Sequence, residues 1–397
     1  VRRLLALLVL AAALGLLAQG CAPRRPAELA PGFAPLGVRE ATSLAKDLRS
    51  RDQGLRSWRE LEPGLRRSLA YVASRPQAEK AVDRPGLALT WGALRATLED
   101  LLRLLPELDR DPGLLAREFT WFRLNPGTLL TGYYEPWLEA SLTPDPAYPA
   151  PLYGVPPDLK VTDLGRFHPK WKGQQLTYRV ENGEIAPYHD RQAIDQAGAL
   201  SGRSLEIAWT RDPVEVFFLQ IQGSGRLVLP DGRIRHVLYA GKNGREFVSL
   251  GKVLEQRGYL TKGEITMQSI KDLLASRPDL RDELLATNPS YVFFRLADQG
   301  PYGSAGQVLT PLVSAAVDRS MVPLGAVFAL DSILPGERGE TPFRGLMLAQ
   351  DTGGAIKETR VDLFCGSDGR AEFVAGNLKS RAQVLVLVSN RALPGKN

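Results

Sequence analysis

Cysteine is nearly absent from this chain of 397 residues: Cys21 and Cys365 are the only two. So few thiols exclude a disulfide framework and a cysteine cluster for zinc. Stability must come from an apolar core, which a chain of this length is able to build. Histidine is almost as scarce. His168, His189 and His236 complete the set, no two have ligand spacing, and no metal is expected. None lies near Cys365 in sequence, so that residue reads as a buried strand position and not as a nucleophile. No G-x-S-x-G is present; Gly223-Ser224-Gly225 is shorter and lacks an obvious histidine partner. A Walker loop and a dinucleotide fingerprint are also missing, and no cofactor is expected. The net charge of +6 comes without a Lys/Arg block, which disfavours nucleic acid as a partner. That modest excess is compatible with an anionic wall or membrane surface and selects neither.

What is present begins with a leader. Arg2 and Arg3 precede an apolar run over 4–17, which ends at Ala18-Gln19-Gly20-Cys21. The run is shorter than the roughly 20 residues a membrane-spanning helix needs, so 1–20 reads as a cleaved signal. Cys21 then stands as a candidate for lipidation, with an ordinary signal and an incidental Cys21 as the alternative. Residues 21–45, with Pro23, Pro26, Pro31 and Pro35, read as an anchor and Pro-rich tether. Helical stripes follow at Leu65, Leu69, Val72 and at Trp91, Leu94, Leu98, Leu101, Leu105, the second with Thr90 as N-cap. From about 130 the texture turns to short strands and Pro/Gly turns. Residues 215–222 read as a buried strand ending at Gly223, and Pro230-Asp231-Gly232 as a hairpin turn. Thr261 and Glu264 have the spacing of a capping box opening a helix. Strands are expected at 291–296, 326–330, 344–349, 360–364 and 383–388. The division is therefore helical over 46–134, β-rich over 135–290 and β-rich again over 291–397.

With metal, thiol and serine chemistry set aside, carboxylates remain. Asp351 opens Asp351-Thr352-Gly353-Gly354, and Asp362 lies between Val361 and Leu363. A carboxyl on the drier face of such a strand keeps its proton near neutral pH and is able to act as a general acid. The bland alternative has Asp351 bracing a turn and Asp362 facing water.

An ordered set of motifs bears on the choice. It comprises Thr131-Gly132-Tyr133-Tyr134-Glu135-Pro136, the stretch 148–153, and 218–225 with Gln220, Gln222, Gly223, Ser224 and Gly225. It continues with 239–244 containing Lys242 and Asn243, then 267–270, 288–294, 316–325, and 351–357 through Asp362. In these the chain resembles the membrane-bound lytic transglycosylase A family over roughly two thirds of its length. The resemblance implies a mainly β fold with N-terminal helices. It comprises a double-psi β-barrel domain plus a second, inserted β-barrel-like domain, with the substrate groove between them. It implies Asp362 as the catalytic residue with Asp351 and Asp318 in support. Tyr133, Gln220, Gln222, Gly223, Ser224, Gly225, Lys242, Asn243, Gly353 and Gly354 become candidates for the groove. Arg360, so close to Asp362, is expected to point away, since a cation aimed at the carboxyl would depress its pKa.

The implied reaction is non-hydrolytic cleavage of peptidoglycan glycan strands between N-acetylmuramic acid and N-acetylglucosamine, giving 1,6-anhydro products with one aspartate as acid and base. Protein partners are left open. The anchor would hold the chain to the outer membrane, facing the periplasm. Two rivals remain: an aspartic peptidase, which needs a second Asp-Thr/Ser-Gly that the chain lacks, and a non-catalytic wall-binding lipoprotein of the same fold.

Overall fold

A computed structural model describes residues 30–336 and 338–393; the leader and Cys21 lie outside them. Six strands close a barrel. Around the ring they are Lys379–Ser389, Val327–Leu334, Thr341–Asp351, Ser314–Val317, Val361–Phe364 and Thr128–Tyr133, which pairs back onto Lys379–Ser389. Two pairs are parallel, Ser314–Val317 with Thr341–Asp351 and Val361–Phe364 with Thr128–Tyr133; the others are antiparallel. This is the expected double-psi barrel. The C-terminal half of Lys379–Ser389 is buried on both faces, which is why Val384, Leu385, Val386, Leu387 and Val388 run apolar without alternation.

The outer face is covered by helices. Trp91–Leu108 starts where Thr90 Oγ1 accepts from Ala93 N at 3.2 Å, and Leu94, Leu98, Leu101 and Leu105 are buried, as the stripe predicts. It is pinned to the barrel by polar contacts: Thr97 Oγ1 accepts from Ser389 N at 3.0 Å, and Asp100 accepts from Ser389 Oγ at 2.6 Å. The Gln53 side chain lies against the backbone of Gly345, where an added Cβ would come within 2.4 Å of its Cδ. Its amide bonds Leu312 O and accepts from Leu346 N.

Three readings of the N-terminal and middle segments are corrected. The tether does not reach 45. Gly32–Pro35 is a strand paired with Phe119–Asn125, Val38–Asp47 is a helix, and Phe33, Ala41 and Ala45 are buried. Prolines at 31 and 35 suit an edge strand as well as a free linker. Residues 213–222 form a helix, not a strand. Asp212 Oδ1 caps Val214 N at 2.8 Å, Pro213 takes the first turn, and Gly223 ends it in the left-handed conformation (φ 83°). A short continuous apolar run does not separate helix from buried strand; the Asp-Pro start and Gly stop do. Likewise Glu264 accepts from Thr261 N and Oγ1, but the helix starts at Met267, capped by Thr266.

Between Trp137 and Ala297 the chain builds its second unit. A six-stranded sheet runs Val292–Ala297, Ile234–Lys242, Ser224–Val228, Trp137–Ser141, Glu206–Thr210, Ala150–Tyr153. Leu152 and Phe294, from its two end strands, share one apolar core, so the sheet curls toward closure. The expected hairpin is there, with Val228 paired to Ile234. Helices Leu250–Gln256, Met267–Ser276 and Pro278–Ala286 pack on the Pro213–Gln222 helix.

Candidate active site

Strand register assembles the site. Ala316 pairs with Asp351 on one side and with Asp362 on the other. Asp362 pairs with Thr131, and Thr131 with Lys379. Five neighbouring strands therefore bring Asp351, Ala316, Asp362, Thr131 and Lys379 into one row. The small Ala316 between the aspartates is buried against Tyr133, Ile356 and Phe364.

Asp362 is half-buried. Its Oδ1 accepts from Thr131 Oγ1 at 2.5 Å. Burial pushes its carboxyl from the ordinary 3.8 up to about 6; the Thr131 hydrogen bond and the Arg360 charge oppose the rise, and the Asp351 charge adds to it. The expectation for Arg360 is corrected here. Its Nε and Nη2 donate to Thr131 Oγ1 at 3.3 and 3.2 Å, one atom from the carboxyl. The guanidinium lowers the pKa, but desolvation outweighs it.

Asp351 is differently placed. Oδ1 accepts from Ser304 N, Ser304 Oγ and Thr352 N, each at 2.8 Å, and Oδ2 from Tyr133 OH at 2.9 Å. Burial raises its pKa against these donors. Burial, then the Asp351 charge, lifts the Tyr133 hydroxyl well above its usual range, so it stays a donor. Asp318 accepts from Ser320 N at 2.9 Å and Glu358 N at 2.8 Å, tying down the chain between Gly354 and Asp362. Burial pushes Asp318 up, but these donors and the Lys357 charge leave it below the ordinary value. Gly353 is required because a Cβ there would lie 2.6 Å from Ile356 Cγ1, whereas Gly354 opens to solvent. Cys365 is buried, its thiol pushed up by burial, and a Cβ on Gly132 would approach its sulfur to 2.9 Å.

The candidates from the second unit divide. Gln222 reaches the barrel side, its Oε1 accepting from Tyr134 N at 3.0 Å. Gly223 is the helix stop, and Gly225 packs within 3.1 Å of Pro136 O at its would-be Cβ. Ser224 is buried in the strand that follows, and Lys242 is exposed. Gln220 and Asn243 are buried inside the unit. Gln220 accepts from Arg191, and Asn243 bonds His189 O, Pro289 O, Arg245 N and Tyr291 N. Their amides are spent on structure, which corrects the expectation of a sugar contact. The residue reading missed Thr131, Ser304 and Glu135. Glu135, wholly buried, takes Arg226 Nε at 2.7 Å and His236 Nδ1 at 2.9 Å where the chain leaves the barrel. Its position inside an apolar motif was the available signal.

A cavity of about 320 Å³ opens beside this row, between Thr131, Arg360 and Lys379 on the barrel and Ile265 and Thr266 on the second unit. Another depression of about 460 Å³, lined by Gln192, Gln196, Asp282 and Glu283 among others, belongs wholly to the second unit and touches none of the site residues. Lys271 Nζ and Tyr134 OH both donate to Glu372, at 3.0 and 2.9 Å, and the Lys271 contact bridges the two units near the first cavity.

A closed double-psi barrel interrupted by an inserted β unit, with a carboxyl whose pKa burial raises next to the cleft, defines a class of two-unit barrel proteins. Comparison with known proteins narrows it. Residues 129–295 match the MltA specific insert domain and residues 313–388 the 3D domain. A membrane-bound lytic murein transglycosylase A of Vibrio cholerae is 33% identical over 264 residues, covering 64% of each chain. Its Escherichia coli K12 counterpart is 34% identical over 268 residues, 65% of this chain and 64% of that one. The crystal structure of a membrane-bound lytic murein transglycosylase from Agrobacterium tumefaciens superposes with a TM-score of 0.76 at 33% identity, covering 92% of this chain and all of the other. The match thus spans just under two thirds of the length of the curated relatives. The chain belongs to the membrane-bound lytic murein transglycosylase A family.

Proposed function

We propose that the chain is a peptidoglycan lytic transglycosylase, cleaving the bond between N-acetylmuramic acid and N-acetylglucosamine with Asp362 as its single acid/base. The carrying observation is the contrast between the two aspartates. Burial pushes Asp362 up to about 6, and only its Oδ1 takes a donor, Thr131, which lines an open cavity, whereas both oxygens of Asp351 are occupied by donors. In this scheme Asp362 gives its proton to the glycosidic oxygen as the C1–O4 bond breaks. The muramic acid 6-hydroxyl then adds to C1, forming C1–O6, and returns its proton to the Asp362 carboxylate. Atoms balance without water, and no second carboxylate is called on, unlike ordinary glycoside hydrolysis. An intramolecular nucleophile makes positioning the main task. Among the candidates with exposed or half-buried positions, Gln222, Lys242 and Gly354 keep that role.

The names of the relatives support a glycan-cleaving reading and a membrane association. Among the described residues no helix is long and apolar enough to cross a membrane. Attachment through lipid on Cys21, in the outer membrane facing the periplasm, is the form of association we propose. The test is digestion of purified peptidoglycan by wild type and Asp362→Asn. Anhydro-ended fragments from the wild type alone are expected. Binding without cleavage by the wild type would favour the non-catalytic wall-binding alternative.

A further inference from the structure

The cavity beside Asp362 carries two cations. Arg360 and Lys379 both line it. Neither forms an ion pair with a carboxylate among the described residues. Arg360 is anchored by Nε and Nη2 on Thr131, and its Nη1 has only a long 3.4 Å contact with Ala355 O. Lys379 is exposed and shares the register row of Thr131 and Asp362, so its side chain rises on the same face. No Asp or Glu lines the cavity. When Asp362 holds its proton, the two positive charges face a space with no anion in it. The rest of the lining combines apolar Leu129, Ile265 and Leu378 with Gly376 and polar Thr131, Thr266 and Asn377.

We propose that this cavity binds a carboxylate carried on a short aliphatic arm of the substrate, and that Arg360 and Lys379 thereby distinguish muramic acid from glucosamine residues. The inference rests on the proposed glycan reading and specifies which sugar the barrel side recognises. Of the two sugars that alternate in the strand, only muramic acid bears such an arm, a 3-O-lactyl group. Its carboxylate is free in bare strands. In peptide-bearing strands it is an amide, and the nearest carboxylates belong to the stem. A planar guanidinium suits carboxylate pairing, a lysine adds a mobile second charge, and the apolar part of the lining accepts the methyl or methine carbons. At about 320 Å³ the space lies at the low end for ligand sites and suits one substituent or one sugar, not a strand. Recognition here would also orient the muramic ring, whose 6-hydroxyl must reach its own C1.

The test is calorimetric binding to the Asp362→Asn protein, which leaves ligands intact. The probes are neutral chitohexaose, a bare N-acetylglucosaminyl-muramic acid hexasaccharide, and its peptide-bearing counterpart. A carboxylated ligand is expected to bind about tenfold more tightly than chitohexaose at low salt, with the preference shrinking as salt rises. Preference for the bare hexasaccharide assigns the lactyl carboxylate; preference only for the peptide-bearing one assigns the stem. Adding Lys379→Gln is expected to cut the preference about threefold. Because the Lys379 side chain is exposed and makes no hydrogen bond among the described residues, melting temperature should not move. Equal affinity for all three probes, or an equal loss on all three with Lys379→Gln, overturns this inference and leaves the glycan reading standing. Binding to none of them overturns both.

Discussion

Replacing Asp362 with Asn is expected to destroy activity and to stabilise the fold. Asn keeps an Oδ1 that accepts from Thr131 Oγ1, so the 2.5 Å contact has a counterpart, but it has no proton to transfer. Product formation should fall at least about a hundredfold. The stability effect follows from linkage. A carboxyl whose pKa is about 6 in the fold and 3.8 outside it is disfavoured as the anion by about 3 kcal/mol, an upper limit for a half-buried group. The folded-state value is the higher one. Its contribution is therefore fully present below pH 3.8 and lost as pH rises through about 6. Asn never ionises and escapes that loss. Urea unfolding of both proteins from pH 4 to pH 8 reads the difference. The wild type should approach the variant's stability near pH 4 and fall below it by up to about 3 kcal/mol at pH 7. Parallel pH curves, or a variant less stable at pH 7, would refute desolvation of Asp362 as the source of its acidity.

Other outcomes follow from the same geometry. With a protonated acid required at the start, kcat/KM should hold steady below about pH 6 and decline about tenfold per unit above it; a profile rising to pH 8 contradicts the assignment. Thr131→Val removes a hydrogen bond to the charged carboxylate worth about 1.5–3 kcal/mol, which should move the limb of that profile upward by about 1–2 pH units; an unmoved limb would mean the bond is weaker than its geometry implies. Phe33→Ala, at a buried position of the N-terminal strand, should cost about 3 kcal/mol in denaturant unfolding, and a chain starting at Ser50 should be less stable than one starting at Ala30. A tether reading of 30–45 would predict no change in either. Chelator is expected to leave the rate unaltered, since the described residues hold no cluster of potential ligands; loss of activity restored by a divalent cation would require a metal step.

Much of the architecture was legible locally. The Thr90 cap, the leucine stripe after it and the hairpin at Pro230-Asp231-Gly232 are short-range signals, and each appears where the residues place it. The Pro213–Gln222 helix resembles a strand because its aromatic and β-branched run has no period, and only its Asp-Pro start and Gly stop mark it as a helix. Gly32–Pro35 was misread because its pairing partner is distant in sequence, at Phe119–Asn125. The same distance hides the site. Thr131 and Asp362 are 231 residues apart in the chain, and the row from Asp351 to Lys379 exists only once five barrel strands are in register. Asp362 itself came from a motif set and not from spacing. Charge alone does not set the direction of Arg360, because the guanidinium is held by the Thr131 hydroxyl, while burial decides the pKa.

The central claim is that Asp362 drives cleavage in which the sugar's own hydroxyl, and not water, attacks C1. Mass spectrometry of peptidoglycan digested in heavy-oxygen water tests it most directly. The account predicts muramic acid ends lighter by one water than hydrolytic ends, free of heavy oxygen, and absent with Asp362→Asn. New reducing ends carrying the heavy isotope would make the protein a hydrolase and contradict the account.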